Sequence, residues 1–104
     1  MAPRKTAPPR PVIVTIAGME IDFSKTVPML AGDWTALKRQ GVKLGPNHNI
    51  LDDPDAMVTF VLWFAQKVNG GLTREMLLEV PVTKVIAAAL YIHTMSSEDI
   101  TDPN

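Results

Sequence analysis

With 104 residues, the chain is long enough for one domain and too short for two. Its 46% hydrophobic content excludes wholesale disorder, and the lack of cysteine excludes a disulfide framework and any thiolate metal site. A formal net charge of −1 supplies no global field that would draw in nucleic acid or an anionic membrane.

Residues 1–11 contain Pro3, Pro8, Pro9 and Pro11, three basic groups (Arg4, Lys5, Arg10) and almost nothing apolar. Proline removes hydrogen-bond donors and the segment has nothing to bury, so a disordered or polyproline-like tail is expected. Three cations are too few for a nucleic-acid arm, and the apolar stretch of a secretory signal is missing. The β-branched run Val12–Ala17 ends at Gly18, and Ile21-Asp22-Phe23 alternates apolar and polar. This pattern predicts a short hairpin turning near Gly18-Met19. Two strands are marginal alone, so their apolar face must lie on helices.

Asp33 is a good N-cap for a first helix, and Trp34–Gln40 are helix formers. Gly41 fits the left-handed C′ position of a Schellman stop, with Val42 placed to touch Leu37 across it. Residues 42–49, with Gly45, Pro46, Asn47 and Asn49, predict a surface loop. A second helix is expected after Asp52-Asp53, with Pro54 in its first turn, running to Val68 and stopping at Asn69-Gly70-Gly71. Thr73 can cap a third, with Leu72 and Leu77 spaced as a hydrophobic staple. Pro81 cuts that helix, and a fourth is expected from Val82 to Met95.

These elements predict a mostly α, α+β fold, a short N-terminal β-hairpin packed on a bundle of about four helices. Residues 12–95 form one globular domain in this reading, between the 1–11 tail and a flexible acidic tail over 96–104 carrying Glu98, Asp99 and Asp102. The longest apolar run, around Phe60–Ala65, is far below the ~20 residues a membrane span needs, so a soluble chain with no membrane partner is expected.

The chemistry of an enzyme is missing. There is no Cys nucleophile, no Ser in a G-x-S-x-G elbow and no phosphate loop, and only His48 and His93 can serve as imidazole bases. Asp52, Asp53 and Asp55 superficially resemble a calcium loop, but Met57 and Val58 stand where that loop needs a polar ligand and a glycine. They read as negative charge at a helix start. No enzymatic activity, cofactor or metal is expected.

At roughly 100° per residue, Met57, Phe60, Val61, Phe64 and Val68 share one face of the second helix, and Asp55, Thr59, Gln66 and Lys67 the other. Trp63 falls on that polar side, with Leu62 flanking it. Either the hairpin or the tail covers the indole, or it is a partner-binding anchor, since Trp is enriched in interface hot spots. In the last helix Val82, Val85, Ile86, Ala89 and Ile92 share a stripe with His93, opposite Lys84, Ala87, Ala88, Tyr91 and Met95. Trp63 is the first candidate for partner contact, and Leu62 and Tyr91 follow.

The order of elements resembles the tail assembly chaperones of long-tailed bacteriophages. The residues carrying the resemblance are Ile13–Phe23 (strand, glycine turn, strand), Gly32–Leu37 with Gly41-Val42, the apolar helix Met57–Ala65, and Leu72–Leu77. It spans residues 12–95, and its motifs are loose rather than catalytic signatures. The resemblance implies a protein that keeps the aggregation-prone, helical tape measure protein soluble in the host cytoplasm and is absent from the mature virion. Tape measure segments are the implied partner; self-association is compatible, and nucleic acid is not expected. The proline-rich tail departs from the family. The competing readings are a small head–tail or tail component and a DNA-binding regulator, the latter opposed by the near-neutral charge.

Overall fold

The computed structural model describes residues 12–44 and 48–101, with side chains to Ser96. Strands β1 (Ile13–Ile16) and β2 (Met19–Asp22) form an antiparallel hairpin, followed by helices α1 (Ala31–Arg39), α2 (Pro54–Val68), α3 (Arg74–Leu78) and α4 (Val82–Thr101). The mostly α, α+β architecture expected from the sequence is what forms. The proline-rich segment 1–11 lies outside the described residues.

Ile16 pairs with Met19, so the hairpin turns on Ala17-Gly18, one residue earlier than the glycine suggested. Both turn residues have positive φ, 52° and 81°, as a two-residue turn matched to strand twist requires. Val14, Ile16, Ile21 and Phe23 point inward and are buried, while Thr15 and Glu20 face out. A 3-10 turn over Phe23–Lys25 follows, held by the Asp22 carboxylate, which accepts from the Ser24 amide at 3.0 Å and hydroxyl at 2.6 Å.

Helix α1 ends as its glycine demanded. The Val42 amide donates to the Leu37 carbonyl and the Gly41 amide to that of Lys38, with Gly41 at φ 89°. Leu37 and Val42 are both buried, the apolar contact of a Schellman motif. The start of α1 differs from expectation. Asp33 is not the N-cap but the third helical residue, and its carboxylate reaches back to the Leu30 amide at 2.8 Å. Leu30 has no side-chain acceptor, so only the acidic half of a capping box exists here.

Helix α2 starts where Pro54 placed it, with the Asp53 carboxylate accepting from the Ala56 amide at 3.2 Å. A 3-10 turn over Ile50–Asp52 precedes it and buries Ile50, an element the Asn-rich composition of this stretch concealed. Met57, Phe60, Val61, Phe64 and Ala65 form the buried face. Val68 does not join it, since the helix ends there and its side chain is exposed. Thr73 caps α3 by accepting from the Met76 amide at 3.3 Å, and the staple residues Leu72 and Leu77 are both buried.

Helix α4 departs most. It continues past Ser96-Ser97 to Thr101, so residues 96–101 are helix rather than tail. Ser96 is buried and its hydroxyl accepts from the Met29 amide at 3.0 Å, tying the end of α4 to the loop before α1. Its buried face is Val85, Ala88, Ala89, Tyr91 and Ile92; Val82 is exposed and Ile86 only half-buried. The apolar stripe is thus turned toward Ala88 and Tyr91, because α2 and the hairpin, not hydropathy alone, choose which side faces inward.

Phe60 and Phe64 meet edge-to-face at 5.3 Å between ring centroids in the centre of this core. Phe64 is 0% exposed, so Phe64→Ala should destabilise the fold by about 3–5 kcal/mol, measured by urea titration against the wild type. Ala17 sits in the left-handed region that Asn tolerates better. Ala17→Asn should therefore raise stability by roughly 0.5–1 kcal/mol, read as a higher melting temperature.

Candidate binding surfaces

The polar row of α2 is a seam rather than a solvent face. Lys67 Nζ lies 2.7 Å from Asp33 Oδ2, and the Trp63 indole N–H donates to Asp33 Oδ1 at 2.8 Å. Both hold α1. Arg74 donates to the Thr59 hydroxyl at 3.0 Å and to the Asp55 carboxylate at 3.2 Å, and the Gln66 amide to the Leu72 carbonyl at 2.9 Å. These fasten the segment leading into and through α3.

Asp33 therefore accepts from Leu30, Trp63 and Lys67 while its side chain is 8% exposed. Burial alone pushes its carboxyl upward, but the hydrogen bonds from Lys67, Leu30 and Trp63 and the Lys67 charge outweigh it and hold the group below its ordinary value. Lys67 also stands 5.0 Å over the Phe64 ring, which seats its ammonium between carboxylate and aromatic face.

Trp63 is half-buried and packed against the core. Asp33 of helix α1 engages it, and the N-terminal tail lies outside the described residues. Its N–H is already used, and what it still shows borders a shallow depression of about 230 Å³ with Gln66 and Lys67. Leu62 is likewise half-buried against the core. Tyr91 is only 9% exposed and belongs to the core, which corrects its place among contact candidates: the turned face of α4 brings it inside. The three residues do not compose one open apolar surface.

Two other surfaces do carry exposed apolar groups. On α4, Val82 (62% exposed), half-buried Ile86 and Leu90 (44% exposed) follow one another at four-residue steps, and Leu78 at the end of α3 is also exposed. Sequence periodicity put Val82 and Ile86 on the apolar stripe, and packing leaves Val82 exposed and Ile86 half-buried against the core. The second surface is a cleft of about 300 Å³ beside α1, lined by Trp34, Lys38, Gly41, Val42, Lys43, Leu44 and His48. In the sequence Trp34 precedes Lys38, Arg39 and the Gly41 stop, which is the local signal for this cleft.

Among the described residues no group of three or more His, Asp or Glu side chains is placed to hold a metal ion. No described helix is long and apolar enough to cross a membrane. No family model matches the chain, and no curated protein or solved structure matches it either.

Asp33 makes stability depend on acid. Its carboxyl is lower in the folded state than the ~3.9 of an unfolded chain, so the unfolded state binds more protons as pH falls. The contribution is complete above about pH 5 and is lost as pH drops through the folded value. Asp33→Asn should destabilise by about 1–3 kcal/mol at neutral pH, less than a fully buried pair because Lys67 is 30% exposed. The gap between wild type and variant should narrow toward pH 3, as measured by urea titration across pH.

Proposed function

We propose that the chain is a non-enzymatic, protein-binding chaperone that keeps the tape measure protein of a long-tailed bacteriophage soluble during tail assembly in the host cytoplasm. The observation that carries this reading is the row of exposed Val82, half-buried Ile86 and exposed Leu90 on α4. Four-residue steps put these side chains in one line, the spacing by which an amphipathic helix seats against another. Ala87, also exposed, lies beside Leu90 and lets a partner backbone come close. A long helical protein awaiting assembly presents repeated amphipathic stripes, and a small domain with one open apolar row can cover one stripe at a time.

The resemblance of residues 12–95 to tail assembly chaperones supports the same reading. Binding of this kind needs no reactive centre. The anchor, however, moves from Trp63 to α4, because the indole is committed to Asp33.

Co-expression with the tape measure protein tests the proposal. The wild type should shift that protein from pellet to supernatant and copurify with helical segments of it. The double variant Val82→Glu, Leu90→Glu should keep its melting temperature, since both side chains are at the surface. It should bind such segments more weakly by about 2 kcal/mol or more, a ~30-fold loss. A wild type that binds no tape measure segment would sink the chaperone reading, and retention in purified particles would replace it with a structural tail component.

A further inference from the structure

Helix α1 hides little of itself. Leu30, Trp34 and Lys38 lie at four-residue steps along an exposed line, and only Asp33 and Leu37 of the helix are buried. Past Gly41 the chain doubles back, and Val42, Lys43, Leu44 and His48 complete the cleft of about 300 Å³ with Trp34 and Lys38. That volume, at the small end of the range for ligand sites, can take a single bulky side chain and its neighbours. The walls combine an indole that is 37% exposed, the apolar Leu44, and the ammonium groups of Lys38 and Lys43.

The electrostatics of this cleft are lopsided. No carboxylate lines it among the described residues. The helix end would ordinarily add negative charge, but the Leu37 and Lys38 carbonyls already accept from Val42 and Gly41, so the two lysines set the sign. A second hollow of about 190 Å³ shares Lys43 and His48 and is lined beyond them by Asp52 and Asp53. The sign of the charge therefore reverses across Lys43.

We propose that this cleft docks a peptide segment of a partner protein that presents an acidic side chain beside a bulky apolar one, with a basic residue toward Asp52 and Asp53. The apolar group stacks on Trp34 between Val42 and Leu44, the carboxylate meets Lys38 and Lys43, and the trailing cation meets the acidic hollow. An exposed aromatic among lysines is also how single-stranded nucleic acid is held. Such a strand needs a continuous cationic track, and here its phosphates would run from Lys43 onto two carboxylates. Charge order favours the peptide. The proposal stands on α1 and its loop and does not rest on the α4 row.

Fluorescence anisotropy on the full chain tests it, with a labelled helical peptide of leucine and glutamate ending in one lysine. The controls are the same peptide with glutamine for glutamate, and a labelled oligothymidine. The acidic peptide should bind at least about tenfold more tightly than its glutamine counterpart at low salt, and the difference should shrink as salt screens the lysines. Lys43→Glu and Trp34→Ala, each made alongside Val82→Glu and Leu90→Glu so that the α4 row cannot take the helical peptide, should each weaken it about tenfold. Should Trp34→Ala unfold, Lys43→Glu, a surface change, still decides. Equal affinity for the two peptides, indifference to Lys43→Glu, or displacement of the peptide by oligothymidine would overturn the proposal. None of these outcomes bears on the α4 row, so the two readings fail separately.

Discussion

Three donors from two parts of the chain converge on the carboxylate of Asp33: the Leu30 amide before α1, and the Trp63 indole and Lys67 ammonium one turn apart on α2. Helix α1 depends on this convergence. Of its nine residues only Leu37 and Asp33 are buried, and burying one leucine contributes about 1.5–3 kcal/mol. A charge-assisted, partly buried clasp supplies what apolar burial cannot. It also sets where the helix begins, since the same carboxylate that grips α2 occupies the Leu30 amide.

Helix α2 is consequently engaged on both of its faces. Met57, Phe60, Val61, Phe64 and Ala65 hold the hairpin and α4 by apolar packing, while Asp55, Thr59, Trp63, Gln66 and Lys67 hold α1 and α3 by directed bonds. A polar stripe on a helix ordinarily meets water. Here its side chains pair with Asp33 of α1, Arg74 of α3 and the Leu72 carbonyl, and the indole on this face is itself half-buried. Asp33 in turn remains ionised without isolation, because its donors offset the loss of hydration.

What this arrangement leaves uncovered bears on function. The open apolar groups include Val82 and Leu90 on α4, Leu78 at the tip of α3, and Leu30 and Trp34 along the exposed line of α1. The α4 row is plain hydrocarbon and suits a generic amphipathic helix. The α1 cleft joins an indole to a reversal of charge and suits a more particular sequence. On the proposed reading as a chaperone of a helical client, the first surface would give breadth and the second register.

The sequence by itself determined the hairpin, the stops of α1, α2 and α3, and the identity of the central core. Gly41, Pro54, Thr73 and Pro81 act through local backbone chemistry, and Phe60 and Phe64 through a periodicity strong enough to survive any packing. Tertiary structure decided what depended on a partner distant in the chain. Asp33 is equally suited to N-cap and to third helical position, and Trp63 and Lys67, thirty or more residues away, chose between them. The inward side of α4 was likewise open, since Val82, Ile86, Ala88 and Tyr91 are apolar all around the helix. The neighbours, not hydropathy, turned Tyr91 in and left Val82 out. The same holds for the cleft at Trp34, which exists only because the Gly41 stop folds Lys43 and Leu44 back beside an indole that no periodicity singles out.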